Sequence, residues 1–416
     1  MNRRIIPIAV APAAQAAEGT ATRLTALPPL SLYIHFPWCV KKCPYCDFNS
    51  HEAKGGIAGI PQDEYLAALI KDIEAALPGI WGRRVVSVFI GGGTPSLLTT
   101  DALDALLAAI RSRLPLLPEA EITLEANPGT VEAGKFAAFR DSGINRLSLG
   151  IQSFDDTHLT ALGRIHSAAE ARRAVDLALH HFDNVNLDLM YALPQQTLAE
   201  ARRDIQTAAA LGVAHISAYH LTLEPNTPFH HTPPALPDDD LAADMQEMVE
   251  ATLAAAGYSN YETSAFARPE RRCAHNLNYW NFGDYLGIGA GAHGKISSPE
   301  AIVRETRRKH PRDYLAAAAH AEFVQERRTV GSDQLPFEFM MNALRLTEGF
   351  PVRLFQERTG LPVAVAGNAL LLAQQRGLLV ADRERIAPTL QGRRFLNDLL
   401  GLFLAADPGD QSSCRV

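Results

Sequence analysis

From residue 30 to about residue 225, short apolar runs alternate with stretches of helical period. The runs Leu32–His35, Val85–Ile90, Glu121–Leu124, Arg146–Gly150, Val185–Met190 and His215–His220 read as strands. Between them, Leu66, Leu69, Ile70, Ile73 and Leu77 recur at helical spacing and mark one buried face. Leu103, Leu106, Leu107 and Ile110 mark another, and Ser167–His181 and Ala199–Leu211 supply two more helices. A strand returns parallel to its neighbour only through a long crossover, so this alternation predicts a parallel sheet with helices outside. The expected fold class is α/β, a partial (β/α)6 barrel. Ligands in such sheets sit at the carboxyl ends of the strands.

The first strand runs into Tyr33 to Asn49, YIHFPWCVKKCPYCDFN, where Cys39, Cys43 and Cys46 stand in C-x3-C-x2-C spacing. Pro37 ends regular pairing there, because it fixes φ and has no N–H to donate, so the thiols lie on a loop at a strand end. Three close thiolates can converge on a metal centre. A structural zinc takes four ligands, and the fourth would be His35, His51 or Cys273. A [4Fe–4S] cluster on three thiolates leaves one iron open for something else. Reduced structural thiols are the third reading.

Gly91-Gly92-Gly93-Thr94-Pro95 follows the second strand directly. It reads as a tight turn or as a place where backbone approaches a ligand closely. Polar residues recur at the later strand ends: Glu125 in LEANPG, Gln152 in LGIQSF and Asp188 in NLDLMYALP. Packing alone explains this poorly, since buried charges need partners, and Arg164 in ALGRIH is a candidate partner. As a set on one rim they look like cofactor ligands.

Pro225 to Asp240 is a proline-rich connection that reads as a solvated loop despite His230-His231, with Asp240 placed to cap the next helix. A second dense motif follows, RCAHNLNYWNFGDYLGIGAGAHGK from Arg272 to Lys295. Its His275, Asn276, Tyr279 and Trp280 form HN-x2-YW. Physically, His275 can ligate haem iron and the rings can stack on a porphyrin; Cys273 and His293 are other possible ligands. The alternative is that the segment closes the barrel. Beyond about residue 300 the pattern turns helical, with Arg304–Lys309 a basic, solvated run. Helices are expected over Leu335–Leu346, Pro351–Arg358 and Val363–Arg376, then a hairpin of Leu378–Val380 and Arg385–Ala387. The arginines here lack a clustered basic face, so a lid or protein contact is expected in place of nucleic-acid binding.

C-x3-C-x2-C with Tyr45 before the last cysteine resembles the signature of the radical SAM enzymes. SLYIHFPWCVKKCPYCDFNS is similar to the oxygen-independent coproporphyrinogen oxidase branch, and HN-x2-YW to its HemW-type haem chaperones. The resemblance covers nearly all of residues 30 to 400. It implies a [4Fe–4S] cluster on Cys39, Cys43 and Cys46, with S-adenosylmethionine (SAM) chelating the open iron. It further implies SAM contacts at Gly92, Gly93, Thr94, Glu125, Gln152, Arg164 and Asp188, with Tyr33 and Tyr45 alongside. Haem contact is implied at His275, Asn276, Tyr279 and Trp280. The oxidases carry a fourth cysteine where this chain has Phe48, and a longer segment before the motif, which argues against coproporphyrinogen oxidation.

The expected partners are haem and an unidentified acceptor haemoprotein, with a homodimer and peripheral contact with a membrane-bound client left open. The rival readings are a radical enzyme acting on a tetrapyrrole or a tRNA, and a zinc-stabilised binding protein. A formal net charge of −7 argues against broad binding to nucleic acid or anionic membrane. Five cysteines, three of them clustered, do not make a disulfide framework and fit a reducing cytoplasm. The expected organisation is a disordered tail over 1–29, a radical SAM core with HN-x2-YW over 30–298, a mainly helical C-terminal domain of the same branch over 299–405, and a tail over 406–416.

Overall fold

The computed structural model describes residues 23–129 and 133–404. Six strands stand side by side in chain order, all parallel: β1 (Leu30–Phe36), β2 (Val85–Gly92), β3 (Leu116–Ala126), β4 (Arg146–Gln152), β5 (Val185–Tyr191) and β6 (His215–His220). Helices α1 (Gln62–Ala76), α2 (Thr100–Arg113), α3 (Phe136–Ser142), α4 (Asp156–Ala161), α5 (Ala168–His181) and α6 (Leu198–Ala210) fill the crossovers. Helices α3 and α4 are too short to leave a periodic signature, so the sequence showed neither.

The strands read as nearly unbroken apolar runs because both faces are covered. Leu32, Val88, Leu124, Leu147, Leu187 and Ile216 are fully buried in one core with Leu69, Ile73, Leu103, Leu107 and Ile110 of the helices. Helices α5 and α6 both start on capping boxes, Ser167 with Glu170 and Thr197 with Glu200.

The sheet extends beyond the six strands. On one side β6 pairs with β8 (Ala265–Ala267), which pairs with β7 (Ser259–Glu262), both antiparallel. On the other, β9 (Asp284–Ile288) joins β1 in parallel, then β10 (His293–Ser297), β11 (Ile302–Arg307) and β12 (Val324–Thr329) follow antiparallel. The result is a 12-stranded sheet whose ends, β12 and β7, do not pair, so the barrel is partial.

Three local expectations are corrected. The chain past residue 300 is not helical throughout, since β11 and β12 lie there. Arg304–Lys309 is not a uniformly solvated run: Arg307 is buried, meeting Asp72 at 2.9 Å and Glu305 at 2.8 Å, and Arg304 meets Glu338 at 2.6 Å. Two of those acids, Asp72 and Glu338, are far away in sequence, which hid the pairing. The cap of α7 (Asp239–Ala255) is Asp238, which accepts the Leu241 N–H at 2.8 Å, and Asp240 lies inside the helix. The loop before it contains one helical turn, Pro228–His231, with both histidines exposed.

Helix α8 (Ala274–Trp280) lies between β8 and β9 in the chain. A second core forms from Leu335, Phe339 and Met340 of α9 (Leu335–Ala343) with Phe350, Phe355, Leu370, Leu379, Ile386 and Leu399. The expected hairpin is present as Leu379–Ala381 against Arg385–Pro388. The expected N-terminal tail falls mostly on residues 1–22, outside the described residues, but Leu24 is buried in the second core and donates its N–H to Pro299 O at 2.9 Å. The expected C-terminal tail also lies outside.

Candidate functional site

After Pro37 the chain forms a closed strap. Trp38–Cys39 pairs with His51–Glu52, the His51 N–H reaches Pro37 O at 2.7 Å, and the Ala53 N–H reaches Cys39 O at 2.9 Å. Asn49 ties the strap to the body, donating to Ala290 O at 2.9 Å and Lys309 O at 2.8 Å, while its own carbonyl bonds His35 Nε2 at 3.0 Å. Cys39, Cys43 and Cys46 are half-buried and face one pocket at the carboxyl ends of the strands. Tyr45, Gly92, Gly93, Thr94, Glu125, Gln152, Arg164 and Asp188 line the same pocket.

The glycine turn is bonded to the strap: the Gly93 N–H donates to Phe36 O and the Thr94 N–H to Trp38 O, both at 2.7 Å. Gly92 has φ 113°, and a Cβ there would enter the His35 ring, so only glycine fits. Its N–H donates to Glu125 Oε2 at 3.0 Å. Burial, then the neighbouring Asp188, pushes the Glu125 carboxyl up to about 8. Burial also raises Asp188, although it accepts from Ser148 Oγ at 2.8 Å and Asn186 Nδ2 at 2.9 Å. Gln152 ends β4 at φ 67°, a conformation that non-glycine residues hold mainly where surroundings or function impose it. Burial raises the thiols of Cys39 and Cys46 and the phenol of Tyr45.

The structure separates the remaining expected residues from this pocket. Tyr33 lies on β1 and is not among the residues lining the pocket; its hydroxyl is 2.9 Å from His35 Nδ1 and its ring stacks near Phe89. The HN-x2-YW residues are on α8, at the amino ends of the strands. Glu121 receives the N–H groups of Ala274 and His275, each at 3.1 Å, and the Cys273 thiol at 3.3 Å. His275 is buried, bonded through Nδ1 to Ser87 Oγ at 3.0 Å, with ring centres of Phe89 at 5.0 Å and Tyr279 at 5.1 Å. Burial first, then Arg146, pushes its imidazole down to about 3, and its Nε2 has no hydrogen-bond partner. Asn276 is half-buried, Tyr279 stacks on Tyr285 at 4.1 Å, and Arg345 covers the Trp280 ring at 4.3 Å. His293 is exposed on β10.

Sequence reasoning missed Asn127, Ser148, Asn186 and Tyr219. Asn127 accepts from Arg164 at 2.6 Å and donates to Thr94 Oγ1 at 3.1 Å; Ser148 and Tyr219 line the pocket. The signal was available: Glu121, Thr123 and Glu125 alternate along one strand, with Asn127 continuing the spacing just past its end, as do Asn186 with Asp188 and Ser217 with Tyr219. A period of two places each set on one face.

Residues 33–208 match the radical SAM superfamily, and residues 331–395 match the HemN C-terminal domain. "Heme chaperone HemW" from Escherichia coli is 50% identical over 384 residues, covering 91% of this chain and 99% of the relative. The chain belongs to the HemW family. The protein of the same name from Haemophilus influenzae is 48% identical over 387 residues, covering 92% and 99%. The solved coproporphyrinogen III oxidase HemN of Escherichia coli, a radical SAM enzyme, superimposes with a TM-score of 0.76 at 24% identity over 91% of this chain and 90% of its own, which establishes the shared fold.

Radical SAM membership implies a [4Fe–4S] cluster and SAM. The donor set fits: three thiols, soft ligands suited to iron–sulfur chemistry, open on one pocket. Among the described residues no three His, Cys, Asp or Glu side chains form a single-ion site. Among the described residues no helix is long and apolar enough to cross a membrane.

Proposed function

We propose that this HemW-family chain is a cytoplasmic haem chaperone, holding a cluster and SAM at the strand ends and passing haem to an acceptor haemoprotein. The observation that carries it is one pocket uniting Cys39, Cys43 and Cys46 with the glycine turn and the polar strand ends, in a chain that matches heme chaperones over 99% of their length. In this reading Cys39, Cys43 and Cys46 hold the cluster, which supplies an open iron for the amino and carboxylate groups of SAM. Gly92, Gly93 and Thr94 line the methionine end, Glu125, Gln152 and Asp188 accept from polar groups of the nucleoside, Arg164 meets the carboxylate, and Tyr45 packs beside it. Tyr33, which does not line the pocket, packs alongside through His35.

Position 48 separates this reading from oxidation of a tetrapyrrole: Phe48 borders the pocket, 60% exposed, where the oxidases have a thiol. Haem contact is assigned to α8, where Asn276, Tyr279 and Trp280 are half-buried and His275 keeps a buried Nε2 without a hydrogen-bond partner as the candidate ligand to haem iron. The experiment is transfer: cluster-loaded, haem-loaded chain is mixed with an apo-haemoprotein and the acceptor's Soret spectrum is followed. Transfer faster than from free haem supports the chaperone. Haem that stays on the chain with every acceptor tried contradicts it.

A further inference from the structure

A hydrogen-bonded arc joins two of the three cysteines beneath the strap. Arg164 Nη1 donates to Cys43 Sγ at 3.6 Å, and its Nη2 donates to Asn127 Oδ1 at 2.6 Å and Gly150 O at 2.8 Å. Asn127 in turn donates to Thr94 Oγ1 at 3.1 Å, and the Thr94 hydroxyl contacts the Cys39 thiol. Arg164 is half-buried on the pocket wall, and its Nε is buried without a partner. Among the described residues its bonded partners are the Cys43 sulfur, the Asn127 amide oxygen, the Gly150 carbonyl and the Tyr45 hydroxyl, and none is a carboxylate. A partly buried cation is stabilised by a nearby anion, and in the absence of SAM a metal-bound Cys43 thiolate would supply one.

Hydrogen bonds to the sulfurs and nearby charge are the levers by which a protein sets the potential of an iron–sulfur cluster. We propose that Arg164 is a positioning residue for the cluster, holding the Cys43 sulfur through its guanidinium and raising the cluster's reduction potential. Asn127 fixes the guanidinium plane and couples it through Thr94 to Cys39. This role is separate from any contact with the SAM carboxylate, and it rests on the reading that the cluster occupies these cysteines.

The test is an EPR-monitored dithionite titration of anaerobically reconstituted protein without SAM, with iron and sulfide measured on each sample. Arg164→Gln, which removes the charge, is expected to lower the midpoint potential at full iron content. Arg164→Lys is expected to keep most of it. Asn127→Asp keeps the arginine but neutralises it with a carboxylate, and is expected to lower the midpoint as well; it decides the question if Arg164→Gln fails to fold. Unchanged midpoints in fully loaded Arg164→Gln and Asn127→Asp protein would overturn the proposal while leaving the chaperone reading intact. A chain without variants that takes up no cluster would sink that reading and this one together.

Discussion

The carboxylate of Glu125, near the end of β3, accepts the N–H of Gly92, the last residue of β2, at 3.0 Å. This one bond ties the glycine turn to the polar rim of the pocket, and it sets up a pH dependence. Burial raises the Glu125 carboxyl to about 8, so the folded chain holds a proton there that the unfolded chain gives up near pH 4.5. Stability contributed by this group is therefore greatest at low pH and falls as pH rises from about 4.5 to about 8. Glu125→Gln abolishes that slope. In urea unfolding of the cluster-free chain, the variant is expected to gain on the order of 1–2 kcal/mol relative to the unaltered protein between pH 5 and pH 9, discounted because the carboxyl still meets solvent. Parallel stability curves would contradict this.

Asp72 on α1 and Arg307 on β11 form a buried ion pair at 2.9 Å, and Asp72 also receives the Tyr314 hydroxyl at 2.8 Å. Removing Asp72 takes away one of the two acids that face the buried arginine. Asp72→Ala is expected to cost about 3 kcal/mol, the low end of the usual range because Glu305 still pairs with the arginine. Chemical denaturation of the cluster-free chain checks it; a loss below about 1 kcal/mol would show that the pair contributes little.

Phe48 is exposed at the edge of the pocket. Phe48→Cys should therefore change stability by less than about 0.5 kcal/mol. It should also leave haem binding intact and confer no coproporphyrinogen conversion, because activity needs more of the pocket than one thiol. Conversion appearing on this single exchange, measured by porphyrin fluorescence, would return the chain to the radical enzymes.

His275 is held by packing and by Ser87. Its replacement by phenylalanine keeps a ring between Phe89 and Tyr279 and leaves Ser87 bonded to Ser31 at 2.7 Å. His275→Phe should cost about 1 kcal/mol of stability, against roughly 2–3 kcal/mol for His275→Ala, which also opens a cavity. Both variants should lose the coordinated Soret signature. A His275→Phe protein that keeps it would free this residue from haem ligation.

The β/α alternation, the cysteine loop, the glycine turn and Glu125, Gln152, Arg164 and Asp188 were legible because each is local in the chain. Strands buried on both faces leave apolar runs, and the polar pocket-lining groups cluster where those runs end. What was hidden depended on distance. Arg307 looked solvated because its partner Asp72 lies on α1, and β11 and β12 were masked by charged strand residues that face partners on other elements. The burial of His275 could not be read either, since Ser87 and Glu121, which fix α8 to the barrel floor, come from strands far upstream.

The most direct measurement is a haem titration of the anaerobically reconstituted chain, followed at the Soret band, with coproporphyrinogen conversion assayed on the same sample. The account predicts stoichiometric haem binding with no conversion. Conversion to protoporphyrinogen, or a chain that binds no haem, would contradict it.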